Sequence, residues 1–282
     1  MEFRTPVQID KPTFSIEPMD EMLFVGSCFA DSIGRRFQEE KFPAVVNPFG
    51  TMYNPVSVLH TLERYDATPR IVFITLGTNH VYRLKATGEI VDNCQKRPQS
   101  LFTEEELSVD ACADCLQRMV DLLRERRTDV QIVFTVSPIR YRKYGYHASQ
   151  LSKATLLLAI HQLLNSQCSA RPQVARKARI LNSQLTYFPA YELVLDELRD
   201  YRFYASDMLH PSEQAVEYIW EKLVEYYFSA RARQFLADWR PVKEALGHRP
   251  FNPDSAQYQQ FLTDTRRKAV ELCQKYPGLR ID

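Results

Sequence analysis

The chain has 282 residues, and its 36 Lys and Arg nearly balance its 35 Asp and Glu, so we expect neither a nucleic acid nor a membrane surface as a partner. Only 8 residues are glycine, where average usage predicts roughly 20, and their positions fit neither the G-x-G-x-x-G dinucleotide loop nor the G-x-x-x-x-G-K-[ST] phosphate loop. Six cysteines are too few for a disulfide scaffold, and the sequence shows neither a leader peptide nor an apolar run of membrane length, so we expect a cytoplasmic protein.

Helices and strands alternate along the chain, which is typical of a parallel sheet covered by helices on both faces. In chain order the patterns predict strand 22–25, helix 29–40, strand 43–46, a helix opened by Asn54 and Pro55, strand 70–76, a β-hairpin over 81–91, helix 103–127, strand 131–136, helix 149–166, strand 178–181, and helices 191–199, 211–228 and 255–276. Gly34 lies inside the first helix, where it costs about 1 kcal/mol relative to alanine. Close packing of that helix on the sheet would explain it.

These elements predict one α/β domain built on a five-stranded, mostly parallel sheet. A hairpin is inserted after the third strand, and helices extend the C-terminus. The best candidate linker is 250–253, which contains two prolines. We therefore expect a main domain over residues 1–250 and a helical tail over 251–282 that packs on it or beside it.

Small and amide-bearing residues follow the first three predicted strands. The first strand ends in Gly26-Ser27, the second in Asn47-Pro48-Phe49-Gly50, and the third in Gly77-Thr78-Asn79-His80. In an open parallel sheet, ligands bind beyond the carboxyl ends of the strands, near the point where the strand order reverses. Because Ser27 also precedes a predicted helix, its hydroxyl would lie near unpaired N–H groups, which favour developing negative charge.

A serine needs a base to take its proton before it becomes a useful nucleophile. The best candidate for that base is His210, which lies three residues after Asp207 and directly before Pro211. Within one turn, this spacing lets the carboxylate reach one ring nitrogen and leaves the other for the serine. Strand-end glycines and the Asn79 amide are candidates for the groups that hold the oxyanion.

The pentapeptide Gly26-Ser27-Cys28-Phe29-Ala30 resembles the name motif of the GSCFA-domain family, a branch of the SGNH (GDSL-like) hydrolases. Four ordered blocks carry the resemblance, namely Ser27, Gly50, the Gly-x-Asn at 77–79 and the Asp-x-x-His at 207–210. Further similar stretches extend it over residues 20–230. The resemblance is specific because several motifs agree in order.

This resemblance implies a flavodoxin-like three-layer α/β/α sandwich and ester chemistry through an acyl-serine, without a metal or an organic cofactor. It implies Ser27 as the nucleophile, His210 as the base and Asp207 as the residue that orients His210. The implied oxyanion hole consists of the Ser27 N–H, the Gly50 N–H and the Asn79 side chain.

Other residues near the same sheet edge are candidates for substrate binding, and these are Asn47, His80, Asn93 and Tyr204. Many family members have Ala-Trp where this chain has Asn79-His80, which makes Asn93 a second candidate for the oxyanion-hole amide. Since relatives in the superfamily cleave or transfer acetyl groups on carbohydrates, we expect a small-molecule or carbohydrate ester as the substrate. Water and a second alcohol both stay open as the acyl acceptor, and the sequence predicts no oligomeric state.

Other readings of these residues stay open. Cys28 beside Ser27 is a rival nucleophile, since thiolates near helix starts have lowered pKa values. The chain could instead be a non-catalytic carbohydrate-binding protein with the aromatic stretch 201–204 as its platform, or an interaction protein that uses its C-terminal helices. The C-x-x-C at Cys112 and Cys115 lies within a predicted helix and has no second pair, so we interpret both cysteines as core residues.

Overall fold

The computed structural model describes residues 4–92, 97–166 and 184–281. The predicted strand over 178–181 and the candidate residue Asn93 lie outside these residues. The described strands are β1 (Met22–Gly26), β2 (Ala44–Val46), β3 (Ile71–Leu76), β4 (His80–Leu84), β5 (Ile90–Val91), β6 (Phe102–Glu106), β7 (Gln131–Val136) and β8 (Leu185–Tyr187). The longer described helices are α1 (Cys28–Glu39), α2 (Pro55–Arg64), α3 (Val109–Arg126), α4 (Gly145–Ser166), α5 (Glu213–Tyr227), α6 (Ala230–Gly247) and α7 (Ala256–Lys275).

The main sheet has five parallel strands in the order β2-β1-β3-β7-β8. This is the strand order of flavodoxin-like, doubly wound folds, in which the order reverses between β1 and β3. The carboxyl ends of β1 and β3 therefore border the crevice where such sheets bind ligands. Ser27 follows β1 and Gly77 follows β3, so both residues lie at this point.

Helices cover both faces of the main sheet because successive side chains of its buried strands point to opposite sides. Phe24 belongs to one buried cluster, which includes side chains of α1, α5, α6 and α7. Its neighbour Val25 belongs to a second cluster, which includes side chains of α2, α3 and α4. The predicted three-layer sandwich with a five-stranded parallel sheet is thus confirmed.

Gly34 allows α1 to approach the sheet closely. A Cβ atom at this position would lie 2.5 Å from Cγ2 of Val46 and 3.1 Å from Cγ of Phe24. Real Cβ contacts are not that short, so alanine would push the helix and the sheet apart. The interpretation of this glycine as a packing residue is confirmed.

A second, smaller sheet follows β3. The predicted hairpin is present as β4 and β5, and β6 pairs antiparallel with the other side of β4. The prediction that a helix begins at Thr103 is wrong, because 102–106 forms β6 and α3 begins at Val109. The Arg83 guanidinium on β4 binds the Glu105 carboxylate on β6, with an Nε–Oε1 distance of 2.9 Å, so this glutamate-rich segment gains a cross-strand partner that a helix would not give it.

The C-terminal part of the described chain is helical. The predicted helix over 191–199 consists of a short α-helical segment, Ala190–Glu192, and a π-helical segment, Leu193–Leu198. The predicted linker over 250–253 lies between α6 and α7, and the division of the chain at residue 250 stays a prediction. Among the described residues, no helix is both long enough and apolar enough to cross a membrane.

Candidate active site

Ser27 lies between the last residue of β1 and the first residue of α1. It caps that helix, with its Oγ accepting a hydrogen bond from the Phe29 N–H at 3.3 Å. The side chain is buried, and among the described residues Oγ has no other hydrogen-bond partner. Ser27 is therefore a helix cap whose hydroxyl hydrogen is not donated to any described group.

Gly26 sets the backbone path into Ser27. Its φ is +131°, and a Cβ atom there would lie 2.0 Å from the Thr75 carbonyl oxygen, so only glycine fits. The Gly26 N–H donates to Asn47 Oδ1 at 2.8 Å, and Asn47 Nδ2 donates to Asp31 Oδ1 at 2.9 Å. The predicted substrate contact Asn47 therefore has both ends of its side chain bonded within the protein, where it fixes the end of β1 to α1.

The end of β3 lies directly beside the nucleophile candidate. A Cβ atom at Gly77 would lie 3.4 Å from the Ser27 Cβ. The Gly77 and Thr78 N–H groups both donate to the Tyr53 carbonyl oxygen, at 2.8 and 2.9 Å. A Cβ atom at position 77 would also lie only 3.1 Å from the Tyr53 carbonyl oxygen that accepts these two N–H groups, which explains glycine at this strand end.

Two consecutive buried residues of α4 hold the Gly77–Asn79 turn. Ser152 Oγ accepts the Asn79 N–H at 2.9 Å and lies 3.0 Å from Thr78 Oγ1. Lys153 Nζ donates to the carbonyl oxygens of Gly77, at 2.6 Å, and Ser137, at 2.8 Å. Burial lowers the pKa of Lys153 to about 7, since the low-dielectric interior disfavours its charged form. Sequence reasoning noted this stretch only as part of the resemblance and assigned it no role.

The predicted oxyanion-hole donors are already engaged within the protein. The Ser27 N–H donates to the Thr75 carbonyl at 3.1 Å, and the Gly50 N–H donates to the Asn47 carbonyl at 2.8 Å. Asn79 Nδ2 donates to the Leu107 carbonyl at 2.8 Å. An amide nitrogen carries two hydrogens, so Asn79 Nδ2 keeps a second one.

The Cys28 N–H is the first amide of α1 and has no acceptor among the described residues. It lies one residue beyond Ser27, where the positive end of the helix dipole favours an anion. Sequence reasoning missed this donor because it considered only the Cys28 thiol. That thiol lies 3.4 Å from the Tyr53 hydroxyl, and burial together with the thiol raises the pKa of Tyr53, which keeps the phenol protonated.

Asp207 and His210 form a hydrogen-bonded pair within one turn, as their spacing predicts. His210 Nδ1 lies 2.5 Å from Asp207 Oδ2. The other carboxylate oxygen accepts the N–H groups of Leu209, at 2.8 Å, and His210, at 3.0 Å. These bonds lower the pKa of Asp207 to about 2, with the His210 N–H as the largest cause. The carboxylate therefore stays ionised at neutral pH, and His210 Nε2 has no partner among the described residues.

The turn that carries this pair is attached to the end of β7. The Arg140 N–H donates to the Leu209 carbonyl at 3.0 Å, and Arg140 Nη1 donates to the Met208 carbonyl at 3.1 Å. Among the described residues, no hydrogen bond joins Ser27 to His210.

The remaining candidate residues differ in their burial and in the contacts that they already make within the protein. His80 is buried and packs against the Tyr144 ring, with 3.8 Å between the ring centroids. Burial lowers the pKa of His80, and its Nε2 has no hydrogen bond among the described residues. Tyr204 is half-buried beside the His210 turn, where its backbone bridges to Pro211. Cys112 is buried in the core as predicted, and burial raises the pKa of its thiol to about 12. Cys115, which was also predicted as a core residue, is only half-buried.

Comparison with known proteins gives a family and several distant structural likenesses. Residues 21–70 and 66–223 match the GSCFA family, and residues 239–282 match the GSCFA domain protein, C-terminal domain. A comparison with curated proteins gives no match. The structure is similar to an acetyl esterase mutant with acetate ion, at 12% identity and a TM-score of 0.45 over 78% of this chain and 99% of that chain. It is also similar to a carbohydrate esterase family 3 protein from Talaromyces cellulolyticus, at 10% identity and a TM-score of 0.39 over 77% and 99% of the two chains.

Proposed function

The chain belongs to the GSCFA family, and from that premise we propose that it is a serine esterase or acyltransferase of the SGNH type. The observation that carries this proposal is the Asp207–His210 hydrogen bond of 2.5 Å. It fixes an imidazole with one nitrogen on a carboxylate and the other without a partner among the described residues, which is the arrangement a general base needs. Ser27 at the switch point of the sheet supplies the matching hydroxyl.

In the first half-reaction, Ser27 Oγ attacks the carbonyl carbon of an ester and His210 Nε2 takes the hydroxyl proton. Asp207 holds the Nδ1–H and stabilises the resulting imidazolium. When the tetrahedral intermediate collapses, the bond from the acyl carbon to the alcohol oxygen breaks. His210 then gives its proton to that oxygen, and the acyl group stays on Ser27.

In the second half-reaction, water or another alcohol loses a proton to His210 and attacks the acyl carbon. The bond to Ser27 Oγ breaks, and the proton returns to Ser27. The product is a free acid when water attacks and a new ester when an alcohol attacks. The proposed substrate is a small ester, with an acetylated carbohydrate as the leading class.

The oxyanion is proposed to bind at the start of α1. The predicted donors Ser27 and Gly50 contribute through N–H groups that also have acceptors within the protein, and Asn79 contributes through its side chain. The Cys28 N–H and the second hydrogen of Asn79 Nδ2 add donors without a described acceptor. Removal of one such donor typically slows acyl transfer by about 10²- to 10³-fold, so Asn79→Ala should lower kcat by about that factor.

The proposal is tested by labelling with a fluorophosphonate that reacts with activated serines. Wild type should be labelled, and Ser27→Ala should not. Ser32→Ala is the matched control, because Ser32 is an exposed serine on the same helix whose hydroxyl only donates to the Cys28 carbonyl. Labelling that persists in Ser27→Ala, or is absent from the wild type, contradicts the proposal. Loss of labelling in Cys28→Ser alone would make the thiol the nucleophile.

A non-catalytic carbohydrate-binding role is the second candidate, and exposed aromatic rings favour it. Tyr201 and Tyr146 are exposed large side chains close to the His210 turn, and such rings are common stacking surfaces for ligands with an apolar face. Under this alternative, binding of an acetylated oligosaccharide survives in Ser27→Ala, and the wild type turns over neither that ligand nor an aryl acetate. Ser27-dependent turnover of either ester rejects it.

A further inference from the structure

Arg140 brings a cation to the Asp207–His210 turn. Its backbone N–H and its guanidinium donate to the carbonyls of Leu209 and Met208, at 3.0 and 3.1 Å. These two residues are the ones between Asp207 and His210. The guanidinium is therefore fixed against the same four residues that carry the proposed base.

Three tyrosine rings hold this guanidinium without neutralising it. Its central carbon lies 4.2 Å from the ring centroid of Tyr146, 5.4 Å from that of Tyr204 and 5.7 Å from that of Tyr201. Stacking on rings keeps a guanidinium in place and leaves its N–H groups at the edge for hydrogen bonds. Arg140, Tyr201 and Tyr204 also line a cavity of about 210 Å³ together with Arg199 and Asp200, and this cavity is large enough to admit part of a small ligand.

The carboxylates near Arg140 are committed to other partners. Asp200 pairs with Arg202 at 3.0 Å, and Asp207 pairs with His210. Among the described residues, no carboxylate forms an ion pair with Arg140. A guanidinium has five N–H donors, and among the described residues only the Met208 carbonyl accepts from one of them, so the other donors are available to a ligand.

We propose that Arg140 selects substrates whose alcohol portion carries a carboxylate. The proposal rests on the function proposed above, in which His210 protonates the leaving alcohol, so the alcohol lies on the His210 side, where Arg140 is. A single planar guanidinium matches a carboxylate in charge and in the spacing of its two oxygens. The substrate class is then an ester of a hydroxy acid, such as an acetylated acidic sugar, rather than of a neutral alcohol.

The test compares two esters that differ only in this charge, 3-acetoxybenzoate and its methyl ester. Wild type should show a higher kcat/KM for the acid, by about 5- to 20-fold, as expected for a partly exposed charge-assisted hydrogen bond. Arg140→Met should bring the ratio of the two kcat/KM values close to one, mainly through KM for the acid, and Arg140→Lys should keep part of the preference. Arg118→Met is the matched control, since that exposed arginine of α3 is paired with Glu63, and it should leave the ratio unchanged.

A second measurement does not depend on turnover and uses the rate at which the fluorophosphonate labels Ser27. The alcohol product 3-hydroxybenzoate should slow fluorophosphonate labelling of the wild type more than its methyl ester does, and added salt should reduce that difference. Two results overturn the proposal and leave Arg140 as a residue that only positions the turn: an equal effect of the two compounds on labelling, or lower kcat/KM values for both esters in Arg140→Met with an unchanged ratio between them. Absence of Ser27-dependent labelling is a different result, because it rejects the proposed function itself.

Discussion

Lys153→Met should change how the stability of the protein depends on pH. Burial lowers the pKa of Lys153 from 10.5 to about 7 in the folded protein, whereas the unfolded chain keeps the ordinary value. Between these two values the unfolded state binds more protons than the native state, so the free energy of unfolding of the wild type rises with pH across this window. The methionine variant has no titrating group at this position and lacks that rise.

The size of the effect follows from the same two pKa values. Lowering the pKa of a lysine from 10.5 to about 7 corresponds to about 5 kcal/mol over the whole window, and about 2 kcal/mol of this falls between pH 7 and pH 9. The variant also leaves the Gly77 and Ser137 carbonyls without their donor, which costs about 1–3 kcal/mol for each buried group. That second cost is independent of pH. It therefore shifts the difference in the free energy of unfolding by the same amount at every pH and does not change how that difference depends on pH.

Urea unfolding at pH 7, 8 and 9 measures this difference, with fluorescence of the buried Trp220 and Trp239 as the signal. Other titrating groups are common to both proteins and cancel when the two free energies are subtracted. Lys85→Met is the control, because Lys85 also donates to a carbonyl, that of Ser100 at 2.9 Å, but is exposed. A difference between wild type and Lys153→Met that stays constant from pH 7 to pH 9 would refute the argument that this lysine carries a lowered pKa.

Three further predictions concern single residues. Asp207→Asn should lower kcat by about 10²- to 10⁴-fold, since the imidazole loses its anionic partner. The urea midpoint should barely move because the pair is partly exposed, and an unchanged kcat would remove Asp207 from the mechanism. Asn47→Ala should destabilise the fold by about 1–3 kcal/mol, because it leaves the buried Gly26 N–H without an acceptor, and should slow labelling of Ser27; a stable variant with normal labelling would contradict the positioning role. Gly34→Ala should lower the stability of the fold by about 1–3 kcal/mol through overpacking against Val46, as measured by thermal unfolding. Gly247 has open space around it, so Gly247→Ala should leave the stability unchanged. Equal losses of stability in both variants would reject the close-approach argument.

Four strands of the main sheet were predictable because they are short apolar runs that end in glycine, proline or amide residues, whereas the fifth strand, β8, lies at Leu185–Tyr187, where the sequence analysis predicted no strand. β1, β3 and β7 are buried on both faces, so they are continuous apolar runs, and their short length and their β-branched and aromatic residues indicate strands rather than helices. The pairing of Asp207 with His210 was predictable for a related reason, since both residues lie in one turn. Neither inference needed information from a distant part of the chain.

The glutamate-rich segment before α3 shows where sequence reasoning fails. Glu104, Glu105 and Glu106 are good helix formers, and the segment precedes a periodic helix. It forms β6 because β4 offers an open edge and Arg83 a charge partner. Tertiary pairing therefore overrides local preference here, and no local pattern could reveal it.

Lys153 was missed for a different reason, because lysine in a helix is usually taken as solvated. A signal was nevertheless present. Ser149, Ser152 and Lys153 continue the helical spacing of the buried Leu156 and Ile160, which places them on the inner face of α4. Reading the spacing before the residue type would have predicted a buried lysine.

The Asp207–His210 pair closes a loop of four residues, and this has a consequence for the order in which the site assembles. Contacts between near neighbours in sequence cost little chain entropy and form early in folding, whereas the contacts of Arg140 with this turn span 68 residues or more and form late. A partly folded chain can thus hold its imidazole and carboxylate together while Ser27 is still far away.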